Sequence, residues 1–241
     1  VQVIEKLREV QVQKLYIYCD GGRENKVGEM EELQKVQTNV LGEIDWPCKV
    51  STNFREQNEG PRLAIGHAVS WFFESEEEGI ILEHDCVPNL SFFNFCEQML
   101  EHYRPNERVM HISGDNFQFG RTYGDGSYYF SRITHIWGWA TWKRAWKNYD
   151  VELRSFPEFL SKDKISFTVP YKSGKKYWIN TLQACYEGKV ESWDYQWNYV
   201  LLNLDGLSIL PNVNLVGNVG FDSLALNTTN PNHKTARMKT V

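Results

Sequence analysis

Along the first half of this 241-residue chain, short apolar runs that end abruptly in polar residues alternate with apolar stripes at helical spacing. That alternation constrains the fold most, because strands joined through helices lie side by side in an open, mostly parallel sheet flanked by helices. Val3, Leu7 and Val10 mark a first helix, and residues 15–18 a strand that ends in Cys19, Asp20, Gly21 and Gly22. Met30, Leu33, Val36 and Val40 stripe a second helix, before a strand around residues 48–50. Ile65, Val69, Phe72 and Phe73 stripe a third, which stops at Gly79, and residues 80–82 form an apolar strand that runs straight into charge. Ser91 is expected to cap a fourth helix carrying Phe92, Cys96, Met99, Leu100 and Tyr103, and residues 109–112 are the next strand. A sheet of this kind normally opens on a strand, whereas this chain opens on a helix pattern at Val1. Either the fold starts there, or a first strand lies outside this sequence.

After Gly114 the rhythm changes. Residues 128–130 read as a strand, 139–146 as a short helix, and 150–175 as a polar, proline-containing excursion. Two more helices follow. The second opens at Ser192, carries Trp193, Trp197, Val200, Leu201 and Leu204 on one face, and closes at Gly206. From Asn227 onward the residues read as a loosely held loop. The expected organisation is one continuous α/β domain over residues 1–241, its second half an irregular lobe.

Charge excludes several classes of function. Twenty-six basic against thirty-one acidic residues leave a net charge of −5, without the basic excess that a non-specific grip on nucleic acid requires. No uncharged apolar run is long enough for a transmembrane helix, and Glu5, Lys6, Arg8 and Glu9 interrupt any leader-like stretch at Val1. Five scattered cysteines fit neither a disulfide framework nor a paired-cysteine metal site, which points to a reducing compartment. Nine Trp, twelve Tyr and thirteen Phe suit sugar or base sites, and equally suit a core.

Four local patterns carry possible chemistry. Residues 80–88 place Glu83, His84 and Asp85 at the carboxyl end of a buried strand, the edge where open α/β sheets bind ligands. Carboxylates there without adjacent Lys or Arg suit a hard divalent cation that in turn binds phosphates, although a solvated strand end reads the same way. Ser192 as a helix cap puts Asp194 in the first turn, where the helix dipole favours the ionised form. Flanked by Trp193 and Trp197, that carboxylate is a candidate general base on a sugar hydroxyl, or simply a stabiliser of the helix start. Gly138 and Trp139, within the Trp-rich run 137–142, would let backbone approach a ligand that a ring covers. Asp20, Gly21 and Arg23 after the first strand, with Arg55 and Asn58 before the third helix, suit base, ribose or diphosphate contacts. Neither loop is a dinucleotide or Walker-type glycine motif. His67, His102, His111 and His135 lack metal-ligand spacing and read as structural.

In this order the segments 15–23, 54–58, 71–73 with 79–88, 112–116, 137–142 with Trp146, Trp193–Asp194 and 214–221 resemble bacterial nucleotide-diphospho-sugar transferases of the GT-A fold. They are also similar to a simplified N-acetylglucosaminyltransferase I. The resemblance implies a Rossmann-like sheet with an irregular C-terminal acceptor lobe, residues 1–116 binding the nucleotide sugar and 117–241 forming the acceptor and catalytic half. It implies that Asp85 holds Mn²⁺ (or Mg²⁺), that Glu83 and His84 lie beside the donor sugar and ribose, and that Asp20, Gly21, Arg23, Arg55 and Asn58 contact the nucleotide. His84 departs from the family's acidic middle residue and changes the local charge by one unit. Asp194 matches the general base; Asp115, Asn116, Gly138, Trp139 and Trp193 would shape the donor and acceptor pocket. Members begin with an apolar strand ahead of the helix that opens this chain, so a truncated sequence is expected.

The implied activity is inverting transfer of a sugar from a nucleoside-diphosphate sugar, UDP being the expected nucleotide, to a glycan or lipid-linked glycan hydroxyl. Closure of residues 118–127, or of the tail, would exclude water. The competing expectations are a non-catalytic glycan- or nucleotide-binding relative and a sugar nucleotidyltransferase. By resemblance the place of action is cytoplasmic, peripheral at the inner membrane through a lipid-linked substrate or a partner.

Overall fold

The apolar run at residue 80 ends in charge because a strand ends there: β3 (Glu78–Ile81) stops two residues before Glu83. The structure is a computed structural model that describes residues 2–221 and 233–241; the loop expected over residues 227–232 and the start at Val1 lie outside the described residues. Two strands precede β3. β1 (Lys14–Cys19) and β2 (Lys49–Phe54) pair in parallel, Lys14 opposite Lys49 and Cys19 opposite Phe54. They are linked by α2 (Glu29–Gly42), and α1 (Gln2–Glu9) precedes them. α3 (Pro61–Ser75) then leads into β3, with Pro61 at its first turn where a missing N–H costs nothing.

Beyond β3 come β4 (Cys86–Pro88), α4 (Leu90–Tyr103) and β5 (Val109–Ser113). The second half adds β6 (Tyr128–Ser131), β7 (Trp139–Trp142), β8 (Leu207–Pro211) and β9 (Val216–Asn218). β3, β7, β5, β8 and β6, in that order, form a five-stranded sheet, while β4 and β9 make a small antiparallel pair. The fold is α/β, but the expectation of a mostly parallel sheet is corrected. In the five-stranded sheet only β5 and β8 run parallel; β7 is antiparallel to both of its neighbours, and β6 to β8.

β7 also corrects the helix expected over residues 139–146. Only α5 (Lys143–Trp146) is helical there. Every residue of β7 is buried between β3 and β5, where an aromatic and β-branched segment fits a pleated surface with both faces covered. Trp139 faces one side and Ala140 and Trp142 the other, following the strand's two-residue period. Pro88 closes β4, a terminal position where proline is tolerated. Asn89 rather than Ser91 caps α4, its side chain accepting the Ser91 N–H at 3.1 Å.

Two cores sandwich the five-stranded sheet. On one face Phe92, Cys96 and Leu100 of α4 pack on Val109, Ile112, Ala140, Trp142, Ile209 and Val216. On the other, Val69 and Phe73 of α3 meet Trp139, Trp146 and the α9 (Asp194–Leu204) residues Trp197, Val200 and Leu201. A bulge between Val109 and His111 turns both Met110 and His111 toward α9. The excursion at 150–175 is not structureless. It contains α6 (Phe156–Ser161) and α7 (Ile165–Thr168), which with α8 (Lys172–Tyr186) bury Phe156, Phe159, Ile165 and Leu182 against Tyr199 and Leu202 on the back of α9.

Candidate functional site

The carboxyl edge of the sheet gathers the acidic residues. After β3 the chain turns through His84, which is exposed, and the Cys86 N–H donates to the Glu83 carbonyl at 3.1 Å. The β4–β9 pair holds Asp85 in place, its carbonyl accepting the Val219 N–H at 2.9 Å. Gly220 lies directly against the Asp85 carboxylate, so that any side chain there would collide with it. Burial first, then the negative charges of Asp85 and Asp194, push the Glu83 carboxyl up to about 7, and a hydrogen bond from the Trp193 side chain opposes the shift. The structure therefore brings Glu83, Asp85 and Asp194 into one electrostatic neighbourhood from segments more than a hundred residues apart.

Asp194 is the first residue of α9, in the turn expected. The cap differs: Trp193, not Ser192, occupies the cap position without a side-chain cap bond, and the Ser192 hydroxyl donates to Asp194 Oδ1 instead. One carboxylate oxygen is thereby oriented by its neighbour at the start of α9. Trp193 is buried and stacks on Trp139, ring centroids 5.4 Å apart. Its carbonyl accepts from the Tyr149 hydroxyl at 3.3 Å, and Tyr149 in turn stacks on Trp146 at 4.3 Å. Tyr149, to which no sequence pattern points, thus fixes the backbone that carries Asp194.

The two polar loops meet at Asp20. Its Oδ1 accepts the N–H groups of Gly21 and Glu59, both at 2.9 Å, and its Oδ2 accepts those of Gly60 and the Asn58 side chain, both at 3.0 Å. Asn58 also donates to the Gly21 carbonyl at 2.8 Å. Gly21 packs so closely on the Gln57 backbone that a Cβ has no room. Asp20 and Asn58 therefore build the loop pair. Arg23 is paired with Glu29, and Arg55 with Glu59 at 2.9 Å. Glu59, another residue to which the sequence gives no pointer, also receives the Tyr18 hydroxyl and contacts His67 Nδ1 at 2.9 Å. These partners hold the Glu59 carboxyl below the usual carboxylate range, His67 contributing most.

The residues expected to line the sugar pocket sit deeper. Asn116 is buried and clamps β8 to the turn after it: its N–H donates to Asn214 Oδ1 at 3.0 Å and its side-chain amide to the Pro211 carbonyl. Asp115 is fully buried, with Oδ1 accepting the Trp137 N–H at 3.1 Å and Oδ2 3.5 Å from His135 Nδ1. Burial drives this pair toward neutrality, raising the Asp115 carboxyl well above its ordinary value and lowering His135 to about 4. Gly138 has φ +67°, and a Cβ there would stand 2.9 Å from Val216 Cγ2. Trp139 is fully buried. Its indole N–H, Asp115 Oδ2 and the Gln196 amide find no hydrogen-bond partner among the described residues.

A cleft of about 200 Å³ lies between the first turns of α3 and the Tyr149 segment, with Arg62, His67, Ser70 and Asp150 in its wall. It adjoins both the Glu59 loop and the Tyr149 support of Asp194. A larger cavity of about 380 Å³, lined by Arg108, Arg144 and Lys147, opens at the start of β5 and the end of α9, away from the acidic edge.

For a divalent cation the donor set fits in kind. Both charges that act on Glu83 are negative, and clustered carboxylates of this sort suit a hard cation. Among the described residues no three His, Cys, Asp or Glu side chains converge as a ready-made cage. Asp85 would then act as one protein ligand, the remaining positions falling to phosphate oxygens and water, as is common for Mg²⁺-type sites. Compared with known proteins, the chain matches no protein-family model, and none of the curated proteins is similar to it.

Proposed function

We propose that the chain is a metal-dependent inverting glycosyltransferase of GT-A architecture, moving a sugar from a nucleoside diphosphate, UDP by expectation, to a glycan hydroxyl. The observation that carries this reading is that the Asp85 and Asp194 charges both act on the Glu83 carboxyl at the carboxyl edge of the sheet. A Mn²⁺ or Mg²⁺ held by Asp85 would supply Lewis-acid stabilisation of the departing diphosphate. The chain's own residues do the rest. The loop pair closed by Asp20 and Asn58 offers a fixed floor for base and ribose. Asp194, one oxygen oriented by Ser192, removes the acceptor proton as the acceptor oxygen bonds to the anomeric carbon and the bond to the diphosphate breaks. A single in-line displacement of this kind inverts the anomeric centre.

The test is calorimetric titration of UDP and GDP with and without Mn²⁺, on the wild type and on Asp85→Ala. Metal-dependent UDP binding that Asp85→Ala abolishes supports the reading; identical UDP affinities with and without Mn²⁺ in both proteins sink it. A non-catalytic relative is the second reading. It draws on the pairing of Arg23 and Arg55 with Glu29 and Glu59, which leaves those guanidiniums internally neutralised. Release of free UDP from a UDP-sugar would exclude it.

A further inference from the structure

The outer surface of the helical lobe is unlike the rest of this acidic chain. Between residues 162 and 177 the sequence carries five lysines and a single aspartate, within a protein of net charge −5. The same stretch holds the most exposed aromatic rings of the described residues. Phe167 is 82% exposed and Tyr171 74%, with Tyr177 about half exposed. Leaving a phenylalanine almost wholly in water forgoes most of its transfer free energy, and local packing does not require it: α7 already buries Ile165 and Thr168 on its inner side. The patch is continuous across two elements. Lys175 Nζ donates to Ser166 Oγ at 3.0 Å, tying α8 to α7, and the Lys175 N–H donates to the Tyr171 carbonyl at 2.9 Å. Lys172 and Lys176 lie one helical turn apart on α8 and are both exposed. Neither forms an ion pair among the described residues.

Exposed rings beside lysines on a short helix are the chemistry of an interface between water and an anionic bilayer. The rings enter the headgroup region while the ammonium groups meet lipid phosphates. A sugar or nucleotide site would place such rings in a concavity, whereas Phe167 and Tyr171 are exposed and line neither of the cavities described above. No helix among the described residues is long and apolar enough to cross a membrane, so a contact of this kind would be peripheral. We propose that the α7–α8 surface, centred on Phe167, Tyr171, Lys172 and Lys176, docks the protein on an anionic lipid bilayer. The surface adjoins the start of α9, where the Trp178 ring meets the Tyr195 ring edge-on at 6.2 Å. Docking there would set the start of α9 beside the membrane face, where a lipid-borne acceptor presents its hydroxyl. The surface itself is argued from its own residues. Vesicle binding needs no nucleotide or metal, so it fails or succeeds independently of the transferase reading.

The experiment is co-sedimentation of the full chain with vesicles of phosphatidylcholine alone, and with vesicles containing roughly one-third phosphatidylglycerol, at about 0.1 M salt. The expected result is partitioning onto the anionic vesicles at least about tenfold above the neutral ones, since each lysine near such a surface contributes roughly fivefold. Lys172→Glu/Lys176→Glu and, separately, Phe167→Ser/Tyr171→Ser should each lower that partitioning about tenfold or more. All four side chains are exposed, and unchanged thermal melts establish that the variants fold. Lys35→Glu, an exposed charge reversal on α2, should leave binding as it is. Failure of the wild type to sediment with anionic vesicles, equal binding to neutral ones, or an equal loss in Lys35→Glu would each overturn the proposal.

Discussion

His111 offers a quantitative test of the core beneath the site. Its ring is fully buried. Nδ1 accepts the Trp197 indole N–H at 3.0 Å, and Nε2 lies 2.8 Å from the His135 carbonyl, to which it donates. Both nitrogens of the neutral ring are thereby used. Burial lowers its pKa to about 3, against about 6.5 in an unfolded chain. Between those values the unfolded state binds a proton that the folded state refuses, so stability is fully present above about pH 6.5 and falls as the pH drops toward 3. At pH 5 the loss from this one residue is about 2 kcal/mol relative to pH 7. Asp115 and His135 titrate with opposite signs nearby, so the clean quantity is a difference. Urea unfolding followed by tryptophan emission at pH 7 and pH 5 should show wild type losing about 2 kcal/mol more than His111→Gln, which does not titrate. Parallel losses in the two proteins, within about 0.5 kcal/mol, would refute the buried neutral imidazole.

Asp194→Asn should lower sugar transfer by at least about a hundredfold, as expected for loss of a general base, while UDP affinity measured by calorimetry stays within about twofold; retained turnover would remove Asp194 from that role. Gly138→Ala combines a positive φ with a Cβ 2.9 Å from Val216 Cγ2. It should cost about 3 kcal/mol in a urea titration, and a cost below about 1 kcal/mol would mean that the β4–β9 side yields more readily than its packing suggests. Asp20→Ala strips a shared acceptor from Gly21, Asn58, Glu59 and Gly60. It should destabilise by about 2–4 kcal/mol and open the loop pair to limited proteolysis between residues 55 and 60, whereas an unchanged cleavage pattern would show that the loops hold each other without it.

Where the pattern is local, the sequence was informative. The acidic end of β3, the striping of α3 and α4, and the placement of Asp194 in the first turn of α9 follow from short-range periodicity and from where apolar residues give out. Where the outcome depends on distant partners, it was not. Residues 139–142 are apolar at every position but Thr141, so no period separates helix from strand; burial between β3 and β5 decides. β8 and β9 are drawn into sheets by residues about one hundred or more positions earlier in the chain, beyond the reach of local spacing. The same holds for Asp20, whose loop chemistry suggests a ligand contact, while the amides of Glu59 and Gly60 take up its carboxylate. Trp139 shows that a glycine beside a tryptophan serves close packing as readily as ligand approach.

The stacked rings around Trp139 have a consequence for how this molecule can be watched. His111, Trp139 and Trp193 form a continuous stack with centroid spacings of 5.3 and 5.4 Å, and Trp146 and Trp197 flank it at 5.9 and 6.1 Å from Trp139. Indoles this close share excitation, so these four tryptophans are expected to contribute to the near-ultraviolet dichroism as one coupled group. Trp193 is at once a member of that group and the residue that precedes Asp194. A ligand that shifted the first turn of α9 would alter the coupling of the whole group, so near-ultraviolet dichroism offers a label-free test of binding at the acidic edge.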